Sequence, residues 1–212
     1  MPARSVGARV PAPGARCRAC AGSPPVSRIL IVRHGQSTWN AQGLWQGQAD
    51  PPLSELGVEQ AERAARAVER ADLVWSSDLE RANHTARVLA APHGRTVTAD
   101  ARLREREAGG WTGLTREQII ADYPGFLDDG RRPEGYETDD SLAERAFGAL
   151  GDLAAALDGG TGVAVSHGGV ILTVERWHGI PRSPIHNLEA RWLVTDAESP
   201  TGFAVGERVT LL

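Results

Sequence analysis

Arg28-Ile29-Leu30-Ile31-Val32-Arg33-His34-Gly35 is the stretch that decides how the rest of the chain is read. Four consecutive apolar residues, three of them β-branched, spell a strand buried on both faces, as in the middle of a parallel sheet. The run stops at Arg33 and His34, so two reactive side chains are delivered to a strand's carboxyl end. Gly35 follows, where the missing Cβ lets the backbone approach a ligand. The same pattern returns near the other end of the chain, where Thr161-Gly162-Val163-Ala164-Val165-Ser166 reads as a strand ending at His167-Gly168-Gly169.

Outward from these two strands, Asp72 to Trp75 and Thr96 to Ala99 read as further strands, and Glu189 to Thr195 and Phe203 to Leu211 as closing ones. Helical spacing appears between them. Ser54 to Arg70 reads as a helix with apolar or alanine positions at Leu56, Ala61, Ala64, Ala65 and Val68. Ser77-Asp78-Leu79-Glu80 is a capping box that predicts a helix from Asp78 to about Ala90, with its positive dipole end toward the same quarter and Arg81 in its first turn, leaning back toward the sheet. Thr115 to Gln118 and Ser141 to Glu144 repeat that box, and the second precedes the apolar stripe Leu142, Ala146, Leu150, Leu153 and Leu157. A helix is expected from Val170 to His178. Strands alternating with helices predict an α/β three-layer sandwich, with a mostly parallel central sheet and helices on both faces. Ligands of such sheets sit at the carboxyl ends of the strands.

That edge collects groups suited to phosphoryl transfer, which needs a nucleophile, cations for the equatorial oxygens and an acid for the leaving oxygen. A neutral imidazole is a competent nucleophile when one ring nitrogen is fixed as a donor, and His34 suits that role. Arg33 and Arg81 offer bidentate donors to phosphate oxygens, and His167, if protonated, adds a third cation. A carboxylic acid beside a phosphate dianion is held protonated more readily, which makes Glu105 and Glu107 the candidates for the acid. Each residue also has a plain structural reading. A strand-end arginine is ordinarily a solvated charge, Arg81 could pair with Asp78 or Glu80, and a single histidine is more often structural than catalytic. Arg131-Arg132 could guide an anionic substrate, although a solvated loop pair is the simpler expectation.

Composition narrows the classes further. With 212 residues, 41% hydrophobic and 24% charged, the chain can build one sizeable core. No apolar run approaches the length of a membrane span. All 23 basic residues are arginine, as expected of a GC-rich bacterial genome, and the first acid is Asp50. The body is therefore acidic behind a basic leader, residues 1 to 27, which is rich in Pro, Gly, Ala and Arg and expected to be disordered. It lacks the apolar segment of a secretory signal, although its arginine content superficially resembles a transit peptide. Cys17 and Cys20 are the only cysteines; they lack the further ligands of a zinc site and read as inert thiols, which fits a reducing cytoplasm. His84, His93, His178 and His186 show no metal-ligand spacing. The tryptophans, Trp39, Trp45 and Trp111 among them, are expected in the core or the pocket wall, and an acidic body offers no nucleic-acid platform.

Five stretches occur together and in order: Leu30 to Asn40; Gln46-Gly47 with Asp50 to Leu53 and Gly57; Ser76 to Ala86; Leu103-Arg104-Glu105 with Gly109, Trp111 and Gly113; and Ser166 to Gly169. In this the chain resembles the histidine phosphatase superfamily, in its phosphoglycerate mutase-like branch, over everything after residue 28. The resemblance implies a catalytic domain over 28–212, with His34 phosphorylated, Arg33, Arg81 and His167 as phosphate ligands and Glu105 as proton donor, favoured over Glu107 by the alignment through Gly109, Trp111 and Gly113. It implies further contacts from Gln36, Asn40, Gln46, Gly47 and Gly168, with no metal and no cofactor. One departure concerns the Gly-Glu-Ser element of many relatives, replaced here by Pro133-Glu134-Gly135-Tyr136-Glu137, a region that helps cover the substrate.

The expected activity is hydrolysis of a small phosphomonoester, a phosphorylated metabolite, through a phosphohistidine. The partner is that metabolite, with no nucleic acid and no membrane, and the protein is expected to be a monomer or homodimer. Two other readings remain open: a cofactor-dependent phosphoglycerate mutase, against which the short chain argues, and a catalytically inactive phospholigand-binding protein.

Overall fold

The computed structural model of the protein describes residues 25–212. In chain order the elements are β1 (Arg28–Arg33), α1 (Thr38–Ala41), α2 (Glu55–Ala64), β2 (Leu73–Ser76), α3 (Glu80–Ala90), β3 (Val97–Ala99), α4 (Arg116–Asp122), α5 (Asp139–Leu157), β4 (Thr161–Ser166), α6 (Gly168–Trp177), β5 (Glu189–Thr195) and β6 (Phe203–Thr210). The six strands form one sheet in the order β3-β2-β4-β1-β5-β6. Strands β1 to β4 pair parallel, β5 runs antiparallel to β1, and β6, antiparallel to β5, runs the same way as the first four.

Strand alternation explains the layers. On β1, Leu30 and Val32 face one side, where they meet Ala64, Ala65 and Val68 at the end of α2 and Ala82, Ala86 and Leu89 of α3. Ile29 and Ile31 face the other side and pack on Leu142, Ala146, Leu150 and Leu153 of α5 and on Val170, Ile171 and Val174 of α6. The alanines on α2 and α3 let those helices lie close to the sheet. A third, smaller cluster of Ala108, Trp111 and Ile119 sits under the loops that roof the sheet's carboxyl edge.

Several expected boundaries shift. Helix α3 begins at Glu80 behind Leu79, not at Asp78: the Ser77 hydroxyl accepts from the Leu79 amide only two residues on, and Glu80 pairs with Arg87 instead of reaching back. Helix α5 begins at Asp139, two residues before Ser141, because Thr138 caps it and Ser141 supplies the amide that Thr138 accepts from. The Thr115 box does form as expected. Helix α2 ends at Ala64, and the chain continues through turns that still bury Ala65 and Val68. Arg102 and Leu103 lie in a short 3-10 turn capped by Asp100.

The leader residues 1–24, with Cys17 and Cys20, lie outside the described residues. Ser27, assigned to the leader in sequence, belongs to the body: it is buried, its hydroxyl donates to Ala154 O at 2.9 Å, and its backbone pairs with Thr195.

Gly57 of α2 packs directly on the backbone of Gln36, so that a Cβ there would penetrate the Gln36 carbonyl. Gly57→Ala is therefore expected to cost about 1–3 kcal/mol of stability, the usual range for overpacking a tight site, measured as a lowered urea midpoint with an unchanged slope.

Candidate active site

Parallel pairing of β1 with β4 aligns Arg33 with Ser166, so the next residue of each strand, His34 and His167, emerges side by side at the sheet's carboxyl edge. Their ring centroids are 5.1 Å apart at an interplanar angle of 64°. Both imidazoles are almost completely buried. Nδ1 of His34 lies 2.6 Å from the Gly35 carbonyl oxygen, and Nε of Arg81 donates to Nε2 of His34 at 3.3 Å. Those two partners require the same tautomer: the proton sits on Nδ1 and the lone pair on Nε2 points into the site.

Arg81, in the first turn of α3, is fully buried. Its other nitrogens donate to Ala49 O at 2.7 Å and Gly47 O at 3.0 Å, which fixes the guanidinium plane. Thr85, one turn on, accepts from the Gly35 amide and donates to Arg81 O, tying the loop after β1 to the same helix. Arg33 donates to Ile185 O at 2.5 Å, and its Nε is buried without a partner among the described residues, as are both ring nitrogens of His167. Buried donors left unpaired are costly, so this cluster is built to be satisfied by an acceptor-rich ligand such as phosphate. The start of α3 contributes less than expected, because the Glu80 amide already donates to Asp50.

Charge follows burial. Desolvation, reinforced by Arg81 and Arg33, holds the His34 imidazole well below its ordinary value of 6.5 against the opposing Gly35 carbonyl. His167 is lowered likewise, by burial first and then by Arg81, His34 and Arg33. In the free protein His167 is therefore held toward its neutral form, so the protonation on which a third cation depended is disfavoured before a ligand binds. Burial lowers Arg33, with Glu105 and Glu189 opposing, and brings Arg81 to about 10, with Glu105 and Asp50 opposing, so both remain cationic at neutral pH.

Glu105 sits across the site from this cluster. Its Oε2 accepts from the Gly169 amide at 3.1 Å and its Oε1 from the Arg106 amide at 2.7 Å. The carboxylate lies so close over Gly169 that any side chain there would displace it. Glu107 is turned away to accept from the Ala108 and Gly109 amides.

Around these groups opens a cavity of about 840 Å³. Of the residues singled out in the sequence, Arg33, His34, Asn40, Gln46, Gly47, Arg81, Glu105 and Gly168 line it, and His167 lies buried against His34. Gln36 does not reach it: its side chain accepts from Ser54 at 2.8 Å, because the loop after His34 turns it toward α2. Sequence reasoning missed Asn187, which donates to the His34 carbonyl at 2.9 Å and reaches Asn40. It missed Arg106 and Arg182 on the cavity wall as well. Single polar residues in loops leave no sequence signal. Arg132 lines the cavity while Arg131 pairs with Asp129 outside it, which separates the two members of that loop pair. Among the described residues no cluster of three or more His, Cys, Asp or Glu could hold a metal ion.

Residues 29–197 match the model of the histidine phosphatase superfamily, branch 1. This chain belongs to that family. Among its relatives, the glucosyl-3-phosphoglycerate phosphatase of Mycolicibacterium vanbaalenii is 39% identical over 160 residues, covering 69% of this chain and 71% of that one. The metal-independent phosphoserine phosphatase of Arabidopsis thaliana is 37% identical over 160 residues, covering 70% and 67%. Among solved structures, the mycobacterial glucosyl-3-phosphoglycerate phosphatase complexed with VO3 superposes with a TM-score of 0.75 at 32% identity, over 84% of this chain and 96% of that one. The central sheet of the family is present in this histidine phosphatase superfamily member.

The two neutral histidines link pH to stability. In the unfolded chain both take up protons near 6.5, whereas the folded chain excludes them, so the stability they allow is complete above that value and declines as pH falls below it. Urea unfolding of the ligand-free protein between pH 7.5 and 5 is expected to show this decline. A His167→Gln variant should show a shallower one, and an identical slope would contradict it.

Proposed function

We propose that this chain hydrolyses a small phosphomonoester by passing the phosphoryl group through His34, as a histidine phosphatase acting without a metal. The observation that carries the reading is the fixed lone pair of His34 Nε2 inside a cage of buried guanidinium groups. In the first step Nε2 forms a bond to phosphorus while the ester oxygen departs with its electron pair and takes a proton from Glu105. In the second, Glu105, now a carboxylate, takes a proton from water as its oxygen attacks the phosphohistidine, and inorganic phosphate leaves. Arg33 and Arg81 stabilise the equatorial oxygens throughout, and the His167 ring and the Gly168 amide end of α6 face the same anion. The proposal places this chemistry in a catalytic domain over 28–212. A cytoplasmic, bacterial setting is part of it, supported by a chain with two cysteines and arginine as its only basic residue apart from histidine.

The outer half of the cavity points to the kind of substrate. Asp139 is shared by Arg106 and Arg176, and Glu137 is taken by Arg145. Arg132 and Arg182 line the same wall and, among the described residues, form no ion pair. A net positive wall in an acidic protein suits a substrate with a second negative group, such as the carboxylate of a phosphorylated hydroxy acid. The phosphoglycerate derivative and phosphoserine in the relatives' names are of that class.

Two measurements test this. His34→Ala is expected to abolish turnover of an aryl phosphate and the acid-labile, alkali-stable phosphoadduct seen after quenching, while leaving the fold intact; activity above roughly one hundredth of wild type would exclude His34 as nucleophile. Arg182→Ala is expected to raise KM for phosphorylated hydroxy acids by about tenfold, the loss of one charge-assisted contact. For a phosphomonoester with no second charge it should change little.

A further inference from the structure

Arg145 of α5 makes more polar contacts than packing requires. One nitrogen of its guanidinium donates to Arg102 O at 2.8 Å and Arg104 O at 2.6 Å, a second donates to Glu105 O at 2.9 Å, and the fork pairs with both oxygens of Glu137 at 2.7 Å. The pair is largely shielded, with side-chain exposures of 18% and 11%. Burial alone would raise the Glu137 carboxyl, but Arg145's hydrogen bonds and charge, with the Glu107 amide and the Ser141 hydroxyl, hold it below the ordinary carboxylate value. Glu137 therefore stays an anion that orients the arginine.

The decisive contact is the one to Glu105 O. That oxygen and the Arg106 amide belong to a single peptide unit, and the amide donates to the Glu105 carboxylate at 2.7 Å. A peptide unit is planar, so holding its oxygen fixes the direction of its N–H. Arg145 grips one end of the plane and the other end aims the carboxylate. Ser166 Oγ, donating to Leu103 O, ties the same segment to the end of β4 beside His167. Arg145 itself does not line the cavity and touches no reacting atom.

We infer that Arg145 is a positioning residue for the proton donor: by clamping the Glu105–Arg106 peptide unit against α5 and Glu137, it sets the position of the Glu105 carboxyl relative to the leaving oxygen. The inference rests on the reading of Glu105 as the acid. Lysine could replace the charge but not the fork that reaches three carbonyls and a carboxylate together.

The test compares two substrates of the purified full chain: p-nitrophenyl phosphate, whose leaving group needs little protonation, and glycerol phosphate, whose alkoxide needs it fully. All comparisons are made in kcat/KM, which reports the steps up to departure of the leaving group and leaves out the hydrolysis of the phosphohistidine that both substrates share. Arg145→Met is expected to lower it on glycerol phosphate by about 10- to 100-fold, the penalty for a misplaced catalytic group. On p-nitrophenyl phosphate the loss should stay below about threefold. In a Glu105→Gln background the same substitution should add nothing to the loss on glycerol phosphate. Should Arg145→Met fail to fold, Arg145→Lys carries the same comparison, with a selective loss again expected. An even loss on both substrates, or a further additive loss in the Glu105→Gln background, would overturn the inference. If Glu105→Gln alone slows glycerol phosphate selectively while the Arg145 variants slow both evenly, only the clamp falls. If Glu105→Gln slows both evenly, the donor assignment falls and takes the clamp with it.

Discussion

A neutral imidazole held against buried guanidinium groups is the constraint around which the rest of the molecule is arranged. A charged His34 could not offer a lone pair, and a solvated one would spend part of its time charged near neutral pH. Burial keeps it neutral, the Gly35 carbonyl chooses its tautomer, and Arg81 meets the nitrogen left free. The same burial would be destabilising for the arginines were each not anchored to backbone carbonyls, at Ile185 for Arg33 and at Gly47 and Ala49 for Arg81.

The anchors have supports of their own. Ile185 belongs to a proline-rich loop, and Arg208 of β6 donates to the neighbouring Pro184 carbonyl. Arg208 and Arg191 in turn grip the buried carboxylate of Glu175 on α6. Removing one member of such a buried triad leaves an unpaired charge, so its geometry is enforced strongly even where its net contribution to stability is small. Arg145, paired with Glu137, holds the backbone around Glu105 in a comparable way. Strands β5 and β6 thus bear on the site at one remove: β6 does not line the cavity but steadies the loop that anchors Arg33.

Much of this was legible in the order of residues. The apolar runs Ile29 to Val32 and Gly162 to Val165 announced buried strands because such runs suit few other environments, and His34 and His167 follow them directly. The site residues closest to regular elements were therefore the readable ones. Helix starts were less so. Ser77 and Ser141 both satisfy a capping pattern, yet Leu79 and Thr138 precede the helices, since a hydroxyl caps whichever amide the tertiary path presents. Gln36 sits in a motif beside the nucleophile but is turned toward Ser54, because register within a loop is set by what packs against it.

By itself the sequence determined the sheet's inner strands and the two layers of helices, and it singled out the residues proposed as nucleophile, phosphate-binding cations and acid, since period, β-branching and residue chemistry are local properties that survive any arrangement. Tertiary structure alone decided that β4 lies beside β1, bringing two histidines 133 residues apart in the chain to 5.1 Å. It decided too that His167 is held toward its neutral form, that Arg132 and Arg182 share a cavity wall, and that Arg145 reaches three carbonyls of a distant segment. Desolvation and long-range hydrogen bonds depend on what surrounds a group in space, and no local pattern encodes those surroundings.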